Sequence, residues 1–165
     1  MTTRRTAWMG LAAAAAGVKG LFLGEAAHAE TAAPRAVVHS EAEWRKLLTP
    51  AQFKVLREAD TEMPFSSPLD KEHRAGVFRC AGCAQPLFSS KAKFDSGTGW
   101  PSFYEPLSKQ SVEEHTDRSF GMRRTEVLCH QCGGHLGHVF NDGPKPTGLR
   151  YCMNGLALAF APDAA

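Results

Sequence analysis

The sequence predicts a mainly β domain with short helices at its front, and three features predict it. Strand-sized apolar runs, separated by clusters of Gly, Pro, Asn and Asp, fill the chain from Gly76 onward. Two helix-start signals stand upstream of those runs. Two Cys-x-x-Cys pairs, Cys80/Cys83 and Cys129/Cys132, fall among the runs and offer such a body a staple. At 165 residues the chain has room for one domain and a short appendage.

The appendage comes first. Residues 1–29 carry a twin arginine, Arg4-Arg5, then an alanine-rich apolar run from Ala7 to Leu23, then Ala27-His28-Ala29, whose small residues suit a signal peptidase. Lys19 and three glycines interrupt the run, which makes it a poor bilayer span. Weak hydrophobicity behind paired arginines fits the twin-arginine route, so the expectation is export, to a periplasm, with cleavage after Ala29. Ala7 departs from the bulky apolar residue usual after the arginines, and an uncleaved tether is the other reading. The full chain has 19 Lys+Arg and 17 Asp+Glu. Removing Arg4, Arg5, Lys19 and Glu25 leaves sixteen of each sign. A neutral domain lacks the basic field that nucleic acid or an anionic membrane requires, so neither is expected as a partner, and the domain is not expected to be membrane-embedded.

Residues 30–40 read as a polar linker ending on a helix cap. Ser40 and Glu43 form a Ser-x-x-Glu capping box, and Trp44, Leu47 and Leu48 share one helical face. Thr49-Pro50 stops that helix and starts another. Thr49 is its cap, Pro50 its first residue and Gln52 the box partner, with Phe53 and Leu56 inward. Strands are expected at Val77-Phe78-Arg79, Glu126-Val127-Leu128 and Leu156 to Phe160. The domain runs from 41 to 161, with 162–165 a tail.

Each Cys-x-x-Cys turn places two thiolates at neighbouring vertices of a tetrahedral metal. Cys80, Cys83, Cys129 and Cys132 together complete a closed four-thiolate site, which suits one structural zinc ion, soft-liganded and redox-silent. The competing readings are two small disulfide loops, or a thioredoxin-like motif that would need a βαβ context. A closed site leaves no vertex for substrate, so this metal would hold strands together.

Cys152 stands apart, in Arg150-Tyr151-Cys152-Met153-Asn154. A cysteine at a strand start, with a permanent cation at i−2 and an amide at i+2, has the ingredients for a lowered pKa. Alone, such a cysteine is more often core packing. Upstream, His135, His138 and Asp142 bring two imidazoles and a carboxylate within 17 residues of it. Thiol chemistry needs a proton donor and an orienting carboxylate, and His138 with Asp142 would serve. Trp100, between Gly99 and Pro101, is an awkward core residue and a reasonable wall for an apolar ligand group.

These segments resemble a known family. Thr61-Glu62-Met63-Pro64-Phe65-Ser66, Gly97-Thr98-Gly99-Trp100-Pro101-Ser102-Phe103, Arg124-Thr125-Glu126-Val127 and the run His135 to Pro144 are similar to those of methionine-R-sulfoxide reductases, the B type. So are both cysteine pairs and Thr147 to Asn154, in family order over residues 41–161. The resemblance implies two small antiparallel sheets, zinc-stapled, with the metal far from catalysis. It implies that Cys152 attacks the sulfoxide sulfur and becomes a sulfenic acid. His138 and Asp142 would assist at the sulfoxide oxygen, His135 and Asn154 would line the site, Arg150 would favour the thiolate, and Trp100 would cradle the methyl group. Oxidised proteins and peptides would be substrates, and a thioredoxin-like protein or small thiol the reductant. Gly155 stands where many relatives have serine, which predicts a looser contact. Thr98 stands where a large subgroup has a resolving cysteine, which predicts reset by an external thiol. A zinc-ribbon binding module is the alternative from another class, and it leaves Cys152 and Trp100 without use. A metal-dependent hydrolase would need an open metal position.

Overall fold

A computed structural model describes residues 35–164. The expected export signal and the start of the linker lie outside the described residues. What remains of the linker is docked. The Val37 amide donates to the Gln131 carbonyl, and Arg35 donates to the carbonyl of His130 at 2.9 Å, so this stretch lies along the second cysteine turn.

Both helices start where their caps predict. α1 (Glu41–Leu47) carries the full Ser40/Glu43 box, and α2 (Pro50–Glu58) the full Thr49/Gln52 box with Pro at its N-terminus. Each box satisfies orphan N–H groups at a helix start and is worth about 1 kcal/mol. Trp44, Leu48, Phe53, Val55 and Leu56 are buried, whereas Leu47 is exposed, a correction to the expected face. Leu47 is the last residue of α1, and the chain leaves the helix at Leu48 in an extended conformation that turns that side chain inward instead.

Among the described residues nine strands follow, in two antiparallel sheets. The smaller has the order β2-β1-β9, from β2 (Pro86–Ser89), β1 (Gly76–Cys80) and β9 (Leu158–Pro162). The larger begins with β3 (Lys93–Phe94), β4 (Ser102–Phe103) and β8 (Arg150–Met153). It continues through β7 (His135–Phe140), β6 (Arg124–Cys129) and β5 (Val112–Asp117). Phe78 and Phe88 of the smaller sheet pack on Phe103 of the larger, with ring centroids 4.9 and 4.4 Å away, so the aromatic core lies between the sheets. All three rings are fully buried, and each contributes about 1.5–3 kcal/mol of apolar burial.

The run Leu156 to Phe160 is only partly strand. Gly155–Ala157 form a single 3-10 turn, and β9 starts at Leu158. The physical reason is a buried carboxylate: Glu62 accepts the amides of both Gly155 and Leu156, which removes them from any sheet ladder.

Candidate active site and metal cluster

Register builds the site. Ser102 on β4, Cys152 on β8, His138 on β7 and Glu126 on β6 are successive cross-strand partners. Directly opposed residues share a face, so these four form a row across the larger sheet. Their chain neighbours Phe103, Tyr151 and Met153 point the other way and are buried in the core. Cys152 thus sits in the interior of a sheet, half-buried, and its sulfur is aimed away from the core.

Cys152, His138 and Asn154 line one pocket with Trp100, Thr61, Arg124, Gly137 and Phe140. The Trp100 indole is fixed by a hydrogen bond from its Nε1 to the Glu62 carbonyl at 3.2 Å. Gly99 is in the left-handed region, and a β-carbon there would meet the Phe65 amide nitrogen at 2.6 Å, so only glycine allows this loop to close on residue 65. Asn154 is buried. Its amide donates to the Leu136 carbonyl, and its oxygen accepts the Glu62 N–H at 3.1 Å. Glu62 therefore ties the tryptophan, the asparagine and the turn after Cys152 with one residue. Nothing in its sequence neighbourhood singled it out except its place in a shared motif.

The carboxylate partners differ from the expectation. His138 Nε2 lies 2.9 Å from Asp117 Oδ2, not beside Asp142. Asp142 is exposed and takes the Arg150 guanidinium in a two-pronged pair, 2.8 Å at each oxygen. Arg150 is held from another side by the Phe140 ring, 4.5 Å from its centroid. Asp117 is 21 residues from His138 in sequence, and only the antiparallel β5-β6-β7 register brings it there; Arg124, opposite Asp117, secures it at 2.6 Å. His135 donates similarly, its Nδ1 2.6 Å from Glu126 Oε1, while its Nε2 is buried with no partner among the described residues. His135 lines an adjoining cavity with Asp117, Glu126 and His138.

Protonation follows from these contacts. A carboxylate only accepts, so Nε2 of His138 and Nδ1 of His135 each carry a hydrogen. Burial lowers the pKa of His138, against the pull of Asp117, and Arg124 and His135 lower it further. The imidazole is neutral near pH 7. Asp117 is held far below the usual carboxylate range by the Ser119 amide and hydroxyl and by His138. Burial also pushes the Cys152 thiol up, only partly offset by Thr98, the charge of Arg150 and Ser102. The lowered thiol pKa expected from the flanking residues is thus overturned for the free protein: desolvation outweighs one nearby cation.

The four remaining cysteines gather elsewhere. All their sulfurs lie within 4.8 Å of one another, with Cys80–Cys132 at 3.7 Å and Cys83–Cys129 at 3.5 Å. A tetrahedron with metal–sulfur bonds of 2.3 Å has edges of about 3.8 Å, so the donor set fits such an ion. Cys80 ends β1 and Cys129 ends β6, so the cluster clasps the two sheets. Arg57 of α2 donates to the Cys132 carbonyl at 3.1 Å and brings the helix onto the same point.

Residues 48–162 match the SelR domain family. The chain belongs to the methionine sulfoxide reductase B (SelR) family. A peptide methionine sulfoxide reductase MsrB of Bradyrhizobium diazoefficiens is 59% identical over 126 residues, covering 76% of this chain and 91% of that protein. One from Thiobacillus denitrificans is 58% identical over 123 residues, covering 74% and 93%. One from Methanosarcina barkeri is 56% identical over 131 residues, covering 79% and 92%. The departure at Gly155 has a structural counterpart. A β-carbon there would fall 1.9 Å from Ser67 Oγ, so the contact expected to be loose is filled by Ser67.

Proposed function

We propose that this protein reduces the R epimer of methionine sulfoxide in peptides and proteins, with Cys152 as nucleophile. Family membership supports the reaction, and one observation carries the assignment of roles: the Cys152 sulfur and the His138 imidazole line a single pocket walled by the Trp100 indole. The indole receives the methyl group, and the polar row receives the S–O group. A zinc-ribbon binding module would leave Cys152 and the His138–Asp117 pair without a role.

The resting site holds a thiol and a neutral imidazole, and the reaction requires one proton. His138 takes the Cys152 proton as the sulfur attacks the sulfoxide sulfur, and Asp117 steadies the imidazolium. The proton then goes to the oxygen, which transfers to Cys152. The sulfoxide sulfur gains two electrons and leaves as methionine, and Cys152 loses two and becomes a sulfenic acid. An external thiol then attacks Cys152, releasing water and forming a mixed disulfide. A second thiol frees Cys152 and carries away the disulfide. Thr98 has no sulfur to offer, and the other cysteines are gathered in the metal cluster. Arg150, held by Asp142, favours the thiolate, and Asn154 and His135 shape the pocket.

The metal is proposed to be zinc, held by Cys80, Cys83, Cys129 and Cys132. When bound it supplies cross-linking and no reaction step. Residues 1–29 are proposed to direct twin-arginine export to the periplasm. Among the described residues no helix is long and apolar enough to cross a membrane.

Separated R and S epimers of a methionine sulfoxide peptide, offered to the wild-type and Cys152→Ser proteins, test the proposal. Turnover of R alone by the wild type and none by the variant is expected. Equal turnover of S, or an active variant, refutes it. For export, a reporter fused to residues 1–35 should stop crossing the membrane when Arg4-Arg5 become a lysine pair.

A further inference from the structure

Thr98 brings no sulfur to the site. The structure gives it a partner. Its hydroxyl lies 3.8 Å from Cys152 Sγ and 2.8 Å from Ser96 Oγ. Ser96 lies 2.7 Å from Ser102 Oγ, and Ser102 donates to the Trp100 carbonyl at 3.0 Å. Ser102 is fully buried and is the cross-strand partner of Cys152, so the hydroxyls run from one side of the nucleophile around to the other.

We propose that Thr98, Ser96 and Ser102 form a reversible hydroxyl relay that donates to the Cys152 sulfur once it ionises, Thr98 acting as a catalytic residue and the two serines positioning it. This rests on the reading of Cys152 as the nucleophile.

Each hydroxyl has one hydrogen, so the chain has a direction. While Cys152 is a thiol, its hydrogen points to Thr98, Thr98 donates to Ser96, Ser96 to Ser102, and Ser102 to the Trp100 carbonyl. Every donor is used. When the sulfur becomes an anion it can only accept. The three hydroxyls then rotate, Ser102 donates to Ser96, Ser96 to Thr98, and Thr98 to the sulfur. The exchange gives up two neutral hydrogen bonds, from the thiol to Thr98 and from Ser102 to the Trp100 carbonyl, and gains one to a charged sulfur, the stronger kind. No atom moves except hydroxyl hydrogens, so the burial that opposes ionisation is countered without opening the site to water. The same donation would reach an oxygen on Cys152 after turnover.

Other groups also set the charge at this sulfur. Arg150 lies on the same strand and His138 across β7, with Arg124 and Asp117 one and two strands further. Glu62 lies beneath Trp100, and Asp95 is on the loop of Ser96. The relay is separable from all of them, because its members carry no charge.

The test is the pH profile of Cys152 alkylation by iodoacetamide in the metal-loaded full chain, read by mass spectrometry of the Cys152 peptide. Thr98→Val should move the midpoint up by about one pH unit, which is about a tenfold slower reaction at neutral pH. Ser96→Ala should move it the same way, and Thr98→Ser should restore it. With saturating sulfoxide peptide, Thr98→Val should lower the single-turnover rate by a similar factor and leave KM unchanged. A wild-type alkylation profile in Thr98→Val, or a Thr98→Ser protein that behaves like the valine variant, overturns the relay. If Thr98→Val loses its metal or its melting transition, Ser96→Ala decides, and a wild-type profile there refutes the proposal. Alkylation requires no sulfoxide. A protein that shows the shift but reduces no methionine sulfoxide would therefore refute the proposed activity and leave the relay standing.

Discussion

Replacing Gly155 by serine should destabilise this protein, and a second substitution should reverse the damage. A β-carbon at 155 would stand 1.9 Å from Ser67 Oγ, 2.4 Å from Ser67 Cβ and 3.2 Å from Glu62 Oε1. The first two are far inside contact distance, and Ser67 is itself buried and caps the next turn through the Leu69 amide at 3.2 Å. Overpacking of this kind costs about 1–3 kcal/mol. In a domain of this size that lowers Tm by about 3–4 °C per kcal/mol. Ser67→Gly alone removes the cap and leaves a small void, for about 1 kcal/mol. Combined, the two exchange a hydroxymethyl group across one contact. The double variant should melt well above Gly155→Ser, with a coupling energy of about 1–3 kcal/mol. The assay is thermal melting of the four metal-loaded proteins, beside kcat/KM. A Gly155→Ser protein that melts like wild type, or singles whose losses simply add, would refute the steric reasoning.

Asp117→Asn should slow the sulfoxide step by about 10–100-fold through loss of the carboxylate that steadies His138, measured by single-turnover kinetics. Asp142→Asn should act on the pH profile of Cys152 instead, since its carboxylate grips Arg150. Cys132→Ser, or removal of the metal by a chelator, should abolish cooperative melting, because the cluster joins β1 to β6; calorimetry with metal analysis checks this. Free Cys152 should alkylate with a midpoint above the ordinary thiol value, because burial favours its protonated form. A midpoint below that value would contradict the structure. Thr98→Cys should yield an internal disulfide with Cys152 after one turnover, visible by mass spectrometry, where wild type gives a sulfenic acid.

What the sequence revealed was local. Both capping boxes, the strand at Val77-Phe78-Arg79 and the four-cysteine cluster depend on short spacings, and the structure has them all. What it concealed depends on register. Asp142, four residues from His138, seemed the natural partner for the imidazole, yet the sheet brings Asp117 from two strands away. Asp142 lies beyond the end of β7, whereas Asp117 is held within reach of His138 by Arg124, its cross-strand partner on β6. Glu62 was hidden for a related reason: its four tying contacts go to residues 100, 154, 155 and 156, which no periodicity links to it. The thiol pKa was misjudged because a cation at i−2 is visible in sequence and desolvation is not.

On the proposed one-cysteine cycle, the placement of Cys152 between two paired strands would restrict which molecules can regenerate it. A nucleophile on a loop can swing out to meet a protein donor. This one is pinned on both sides, by β4 and by β7, and cannot advance. A thiol that resets it would have to reach into the pocket walled by Trp100. On that cycle the reductant would be selected by reach as much as by redox potential, which favours a small thiol or a cysteine carried on a protruding tip over one set flat in a protein surface.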